Sequence, residues 1–253
     1  MNNSLSISLT GLKGLQQQLD SVSNNVANVN TTGYKKKDTV FQELLLNDVT
    51  GTVDVSANAN DIGINRGVQV SQSRVNVSQG GLVSSKGLYD LAISGQGFFG
   101  VRGADNQLVL TRDGGFGIDQ TGLLHNSSGD RLEVDYLVPQ GQWPAGSPSI
   151  REDGTIFMGD QAVGKVLLFT VDNPNQLQEL GNNKYGVNGA VLRTSQMSSQ
   201  GFGTIKQGYL ESSTVDLAES MSDMIITQRA YSMNAKVMQA TDEMMQRVNE
   251  FKQ

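Results

Sequence analysis

Few side chains in this sequence stand where they could carry out chemistry. His125 is its single histidine and cysteine is absent, so no disulfide, thiolate nucleophile or zinc–thiolate site can form. Leu123-Leu124-His125-Asn126-Ser127 reads as a turn or strand end, with no Glu at metal-ligand spacing. Glu152 and Asp153 are adjacent carboxylates, but they fall in a predicted hairpin turn, whereas glycoside hydrolysis needs two carboxylates facing one another across a bond. Gly95-Gln96-Gly97-Phe98-Phe99-Gly100 spells the dinucleotide-binding pattern G-x-G-x-x-G. That pattern binds phosphate only when a helix N-terminus follows it. Here Phe98-Phe99-Gly100-Val101 reads as a strand, so a tight β-turn beside packed aromatics is expected. No Gly-x-Ser-x-Gly elbow occurs. Asn30 and Asn126 match the glycosylation sequon without a secretory context to give it meaning, and Trp143 reads as a packing residue in a loop. The expectation is a protein with no catalytic residue, no metal and no cofactor.

Composition agrees. The chain has 253 residues, 37% of them hydrophobic, 29 glycines and a net charge of −6. A core of useful size is possible at this length. Abundant glycine and asparagine point to many turns in a β-rich middle. The acidic balance argues against nucleic acid, which needs a clustered positive field. Lys35-Lys36-Lys37 is the one basic run, and it reads as a solvated loop. No stretch reaches the ~20 apolar residues of a membrane span. Met1-Asn2-Asn3-Ser4 lacks the basic and apolar regions of a secretory signal, so export would need a route that reads no such signal.

Two elements at opposite ends carry the strongest pattern. Leu5, Leu9, Leu12, Leu15, Leu19, Val22, Val26 and Val29 recur at spacings of three and four, which predicts an amphipathic helix with a start near Asn3 and an end before Gly33. Leu217, Met221, Met224, Gln228, Tyr231, Ala235, Met238, Asp242 and Met245 step by four and three. They predict a second, long helix with a heptad seam, capped at Ser212-Ser213-Thr214 and carrying Asp216 and Glu219 in its first turns. Between them, runs at Val68–Val77, Leu91–Val101, Gln107–Thr111, Leu132–Pro139, Thr155–Met158 and Lys165–Val171 are separated by Gly, Asn and Asp clusters, the mark of short strands.

The expected fold is mixed α and β: an all-β central domain flanked by long N- and C-terminal helices that pair as a coiled coil or bundle. The expected boundaries are 1–33 for the N-terminal assembly helix, 34–67 for an extended linker, 68–206 for the β-domain and 207–253 for the C-terminal assembly helix. A helical layer packed on a sheet is the plainer alternative for the two stripes. Isolated apolar helices are marginal in water, so disordered ends are expected in a free subunit.

Local sequence at both ends resembles a known family. Asn24-Asn25-Val26-Ala27-Asn28-Val29-Asn30-Thr31-Thr32-Gly33-Tyr34-Lys35 is similar to the NNxANxxTxGxK signature of flagellar rod and hook proteins. Gln207-Gly208-Tyr209-Leu210-Glu211-Ser212-Ser213-Thr214-Val215 resembles their QGxLExSNV element, and Gln228-Arg229-Ala230-Tyr231-Ser232-Met233-Asn234-Ala235-Lys236 their QRAYExNxK element. Ile93-Ser94-Gly95-Gln96-Gly97-Phe98-Phe99 and Thr111-Arg112-Asp113-Gly114-Gly115-Phe116 look like the IxGxGFF and TRxGxF strands. Length and wording favour a distal-rod subunit of the bacterial flagellar basal body, with a proximal-rod or hook-like paralogue as the alternative. Ser213-Thr214 in place of Ser-Asn, and Ser232 where Glu is common, bear on the paralogue.

The resemblance implies a structural, non-enzymatic subunit. It would leave through the flagellar type III export apparatus and polymerise with itself and other rod and hook proteins into a hollow helical shaft in the cell envelope. Bushing rings and peptidoglycan are further candidate contacts. Membrane insertion is not implied. By the same resemblance Asn24, Asn25 and Asn28 would hydrogen-bond across packed helices, rather than merely ending the first one, and Arg229 would bridge to an acid on a neighbour rather than stand solvated. An extracellular adhesive β-protein with helical tails is the rival from another class, and a muralytic enzyme the weakest.

Overall fold

The computed structural model describes residues 2–46, 64–103, 105–119, 122–139, 142–144, 147–173, 176–187, 189, 191–196 and 201–251. Half of the run expected to be extended, residues 47–63 of 34–67, therefore lies outside the described residues. The architecture is an N-terminal helix, a many-stranded β region and a C-terminal helix.

Helix α1 spans Asn2–Ala27. It gives way to a turn at 28–30, and Gly33, at φ 68°, takes the left-handed conformation that glycine enters without penalty. A side chain there would also collide with the Arg112 backbone, because an added Cβ would lie 2.5 Å from its carbonyl. Helix α2 spans Leu217–Glu250, 34 residues or about 51 Å. It starts later than predicted, because Asp216 is its cap. The Asp216 carboxylate accepts the Glu219 amide at 3.0 Å, which satisfies one of the orphan donors of the first turn. Thr214 is occupied elsewhere, its hydroxyl accepting the Lys36 amide at 2.8 Å.

The chain forms two compact units. One contains α1, α2 and a two-stranded sheet of β1 (Lys37–Leu46) and β2 (Ile64–Val75). These strands lie at either end of the segment expected to be extended. Helix α1 packs on both α2 and β1. Its Gly14 faces the sheet, where an added Cβ would come within 2.9 Å of Phe41.

The other unit holds Asn28–Lys36 and the remaining strands. Among the described residues its largest sheet is centred on β5 (Phe98–Arg102) and β6 (Leu108–Thr111). On one side β6 is followed by β16 (Lys184–Val187) and β15 (Leu177–Gly181). On the other side β5 pairs with β9 (Arg131–Leu132), followed by β8 (Leu124–Asn126) and β7 (Phe116–Ile118). β14 (Leu168–Val171) joins β5 through Leu168 and Phe169, and carries β17 (Leu192–Thr194). A four-stranded sheet runs β10 (Val134–Tyr136), β13 (Gln161–Val166), β12 (Thr155–Met158), β11 (Pro148–Ile150).

Two short pairs complete the unit. β18 (Thr204–Gln207) lies on β4 (Leu91–Ser94), and β19 (Tyr209–Glu211) lies on β3 (Leu82–Ser84), all antiparallel. The single run read as Leu91–Val101 is thus two strands, broken where Gly95 and Gly97 take φ values of 114° and 127°. As the sequence suggested, the G-x-G-x-x-G stretch leads into strand β5 and not into a helix. Two apolar clusters fill the unit: one around Leu91, Ile93, Phe99, Val101 and Val166, the other around Phe98, Leu110, Phe169 and Tyr185.

Candidate assembly interface

In the helical unit, α2 shows α1 a face of small and flexible side chains. Ser220 and Thr227 are buried, and Asn234 and Thr241 half-buried, one heptad apart; Met224, Met238 and Met245 are half-buried beside them. The Asn234 side chain lies over Gly11, where an added Cβ would stand 2.8 Å from its amide nitrogen. That amide lies 3.5 Å from the Ser8 carbonyl, at the limit of a hydrogen bond. Among the described residues Ser220 Oγ has no hydrogen-bond partner.

The expected seam residues divide. On α1, Leu12, Leu15, Leu19 and Val26 are half-buried, Val22 is buried and Leu9 is exposed; the Leu5 side chain lies outside the described ones. On α2, Met224, Ala235, Met238 and Met245 are half-buried, whereas Leu217, Met221, Gln228, Arg229, Tyr231 and Asp242 are exposed. The buried stripe is therefore rotated toward Ser220, Thr227 and Asn234, positions that apolar counting passes over. A second apolar stripe stays open along α2: Ile226, Met233, Val237, Met244, Val248 and Phe251, from 45% exposed at Val248 to 91% at Phe251.

The asparagines make local bonds. Asn24 Nδ2 donates to Asp20 O at 2.9 Å, and Asn28 Oδ1 accepts from Thr31 Oγ1 at 3.1 Å. Asn25, buried, donates to Lys37 O at 2.9 Å and accepts from Lys37 N at 3.0 Å. Val29 is half-buried.

The second feature, in the β unit, was not foreseen. Lys35, read from sequence as part of a solvated run, is 1% exposed, and it meets Glu211 (1%) and Arg112 (4%). Lys35 Nζ donates to Glu211 Oε1 at 2.6 Å and to Ser78 O at 2.5 Å. Arg112 Nη1 donates to Glu211 Oε2 at 3.0 Å, Nη2 to Gly95 O at 2.8 Å. The Gly80 amide also donates to Glu211 Oε1, at 2.8 Å. Two cations share one carboxylate, both of whose oxygens are used. Burial lowers the Lys35 ammonium pKa, and the bond to Glu211 recovers part of that shift. Arg112 Nε has no hydrogen-bond partner among the described residues, and the guanidinium lies 5.4 Å from the Phe98 ring centre. Burial first, and the Glu179 charge second, push the neighbouring Tyr34 phenol up to about 12; the same causes raise Tyr185 further.

A signal for this cluster was present in the motifs. Lys35 closes the first of the quoted motifs, Arg112 sits in Thr111-Arg112-Asp113, Glu211 in Tyr209-Leu210-Glu211, and Gly95 in the Ile93–Phe99 element. Residues scattered over most of the chain thus converge on one carboxylate. Backbone bonds surround it: Gly33 N to Glu211 O at 2.8 Å, Thr214 N to Tyr34 O at 3.1 Å. Thr32 Oγ1 donates to Asp113 Oδ1 at 2.7 Å.

Among the described residues, no group of His, Asp or Glu side chains could hold a metal ion. His125 Nδ1 lies 3.0 Å from Asn126 O, Trp143 Nε1 donates to Val138 O, and Asp153 binds the Thr155 amide and hydroxyl in its own turn. No described helix is long and apolar enough to cross a membrane.

Comparison with known proteins matches three stretches of the chain to family models. Residues 5–35 match flagella basal body rod proteins, 92–158 the D1 domain of flagellar hook protein FlgE/F/G, and 206–251 the C-terminal region of flagellar basal body rod FlgEFG proteins. The flagellar basal-body rod protein FlgG of Buchnera aphidicola subsp. Acyrthosiphon pisum is 34% identical, with 98% of each chain covered. FlgG of Borreliella burgdorferi is 30% identical over 100% of this chain and 99% of its own. The flagellar hook-basal body complex protein FlhP of Bacillus subtilis is 28% identical over 98% of this chain and 99% of its own.

Proposed function

This chain belongs to the flagellar basal-body rod protein family, and on that premise we propose that it is a structural subunit of the distal rod, located in the flagellar basal body within the cell envelope. Its role is mechanical and non-enzymatic. Copies polymerise through residues 1–33 and 207–253 into a hollow helical shaft that transmits torque to the hook, and the β unit supplies lateral contacts. Other rod and hook subunits cap the polymer, and the flagellar type III apparatus exports the chain. Bushing rings and peptidoglycan are the surfaces the β unit would meet.

The observation that carries this reading is the open stripe from Ile226 to Phe251 on a helix that already packs on α1 with another face. An apolar stripe left open on a helix whose other face is already packed needs a second partner. A neighbouring copy supplies the second, and a heterologous contact repeated without closure makes a helical filament. We read the α1–α2 pair as one element of a coiled-coil bundle, completed by helices of adjacent subunits. At about 0.8 kcal/mol per methylene, covering a stripe of six such residues contributes on the order of 10 kcal/mol per subunit before ordering costs.

The test is to label the chain in isolated basal bodies. Label between the membrane ring and the hook is expected, and label confined to any other part of the cell surface would end the proposal. A proximal-rod or hook-like position is the second reading, favoured by the family models shared among FlgE, FlgF and FlgG and by the likeness to FlhP; label at the membrane-ring end of the rod, or on the hook itself, would select it over label on the rod next to the hook.

A further inference from the structure

The two segments that lead out of the β unit toward the helices, 28–36 and 211–215, are poorly anchored by apolar packing. Tyr34 is the one buried hydrophobic residue described in the first, and Val215 the one in the second. Neither belongs to the two apolar clusters that hold the strands together. What fastens them is polar: the Lys35–Glu211 and Arg112–Glu211 pairs, the Ser78, Gly80 and Gly95 backbone groups around those side chains, and the bonds of Gly33, Lys36 and Thr214, with outlying bonds between Thr32 and both Asp113 and Asn183 and from Ser212 to Gly81. Arg112 comes from the end of β6 and is the one charged member rooted in the sheet of the main core.

We propose that the Lys35–Glu211–Arg112 cluster is a latch: it fastens segments 28–36 and 211–215 to each other and to the β unit as one cooperative element that opens without unfolding the sheet centred on β5 and β6. Glu211 is its pin, because one carboxylate binds a cation from each side. Without it Lys35 and Arg112 face each other buried and uncompensated, a state that the low-dielectric interior penalises heavily. The segments then loosen together, since the bonds from Gly33 to Glu211, Lys35 to Glu211, Lys36 to Thr214 and Thr214 to Tyr34 join them through residues 33–36 and 211–214. Opening of this kind is a local event, distinct from loss of the core. The inference concerns the β unit alone and stands whether or not the chain is a rod subunit.

Amide hydrogen exchange on the full-length chain tests it, with Glu211→Gln and Lys35→Met. Exchange at the Gly33, Lys36, Gly80 and Thr214 amides is expected to rise at least about tenfold more than at amides of β5 and β6. Lys35→Met should speed Thr214 as well as Gly33, although the substitution lies in the first segment. Equal acceleration across all these amides would show the cluster to be ordinary core and overturn the proposal, and so would unchanged exchange at the four. Should Glu211→Gln fail to fold, Lys35→Met, which keeps the Arg112–Glu211 pair, is read in the same way. Failure of both to fold also counts against a latch, which by definition opens on an intact core.

Discussion

The side chain of Asn25 pairs with the backbone of Lys37 as a neighbouring strand would, donating to its carbonyl at 2.9 Å and accepting from its amide at 3.0 Å. The last turn of α1 thereby fixes where β1 begins. Replacing Asn25 with Ala removes both bonds at a site that is 2% exposed. We expect a loss of roughly 1–3 kcal/mol, measured by chemical denaturation of the full chain. Asn25→Asp should cost at least as much, because it sets a carboxylate oxygen against the Lys37 carbonyl. A neutral result for both would show that water replaces the amide at no penalty.

The helix pair makes a second, coupled prediction. Gly11 allows close approach to Asn234, so Gly11→Val should cost about 1–3 kcal/mol through overpacking. Adding Asn234→Ala should recover most of that loss, since it removes the atom in the way. Additive losses in the double mutant would mean that the clash lies elsewhere.

Assembly separates two kinds of position on α2. Val237 is 55% exposed while Met224 is half-buried against the rest of the unit. Val237→Asp is expected to leave monomer stability within about 0.5 kcal/mol of the parent and to abolish polymerisation and swimming. Met224→Asp should lower monomer stability and assembly together, with the β unit still folded. Swimming at the parental rate in cells whose one copy carries Val237→Asp would remove the stripe from the interface.

Alkaline titration gives a further prediction, with two effects of opposite sign. Tyr34 is pushed up to about 12, and Tyr185 is raised as well, from 10.0. The folded chain keeps both phenols protonated where the unfolded chain has released them. Their stabilisation is complete below about pH 10 and is lost as pH climbs toward 12. Lys35 runs the other way: its folded value is lowered from 10.5, so the burden of its buried charge lightens as pH rises toward that value. Stability should therefore hold or rise slightly to about pH 10 and fall beyond it. Phenolate absorbance of these two residues should appear only with unfolding, and Tyr34→Phe should move the alkaline midpoint upward. Both tyrosines ionising near 10 in a folded chain would contradict their burial.

Periodic spacing made the two helices legible, and Thr155–Met158 was read residue for residue as a strand, because local pattern determines such elements. The misreadings share a cause in distance. Lys35 looked like a solvated lysine because nothing near it in sequence reveals a carboxylate 176 positions away. Ser212, Ser213 and Thr214 looked like a helix cap because the competing claim on Thr214 comes from Lys36. The residues of α2 that are buried within the single chain, Ser220 and Thr227, also lie off the apolar spacing that hydropathy follows. Close helix approach favours small side chains over greasy ones there, and hydropathy counting has no term for proximity.

Lys36 has one more consequence. Its carbonyl accepts the Asn76 amide at 2.9 Å while its own amide binds Thr214, so the chain departs after residue 36 and comes home at residue 76 through adjoining doorways. The two bonds made by this one residue therefore hold the point where the chain leaves the β unit beside the point where it re-enters, whatever lies between.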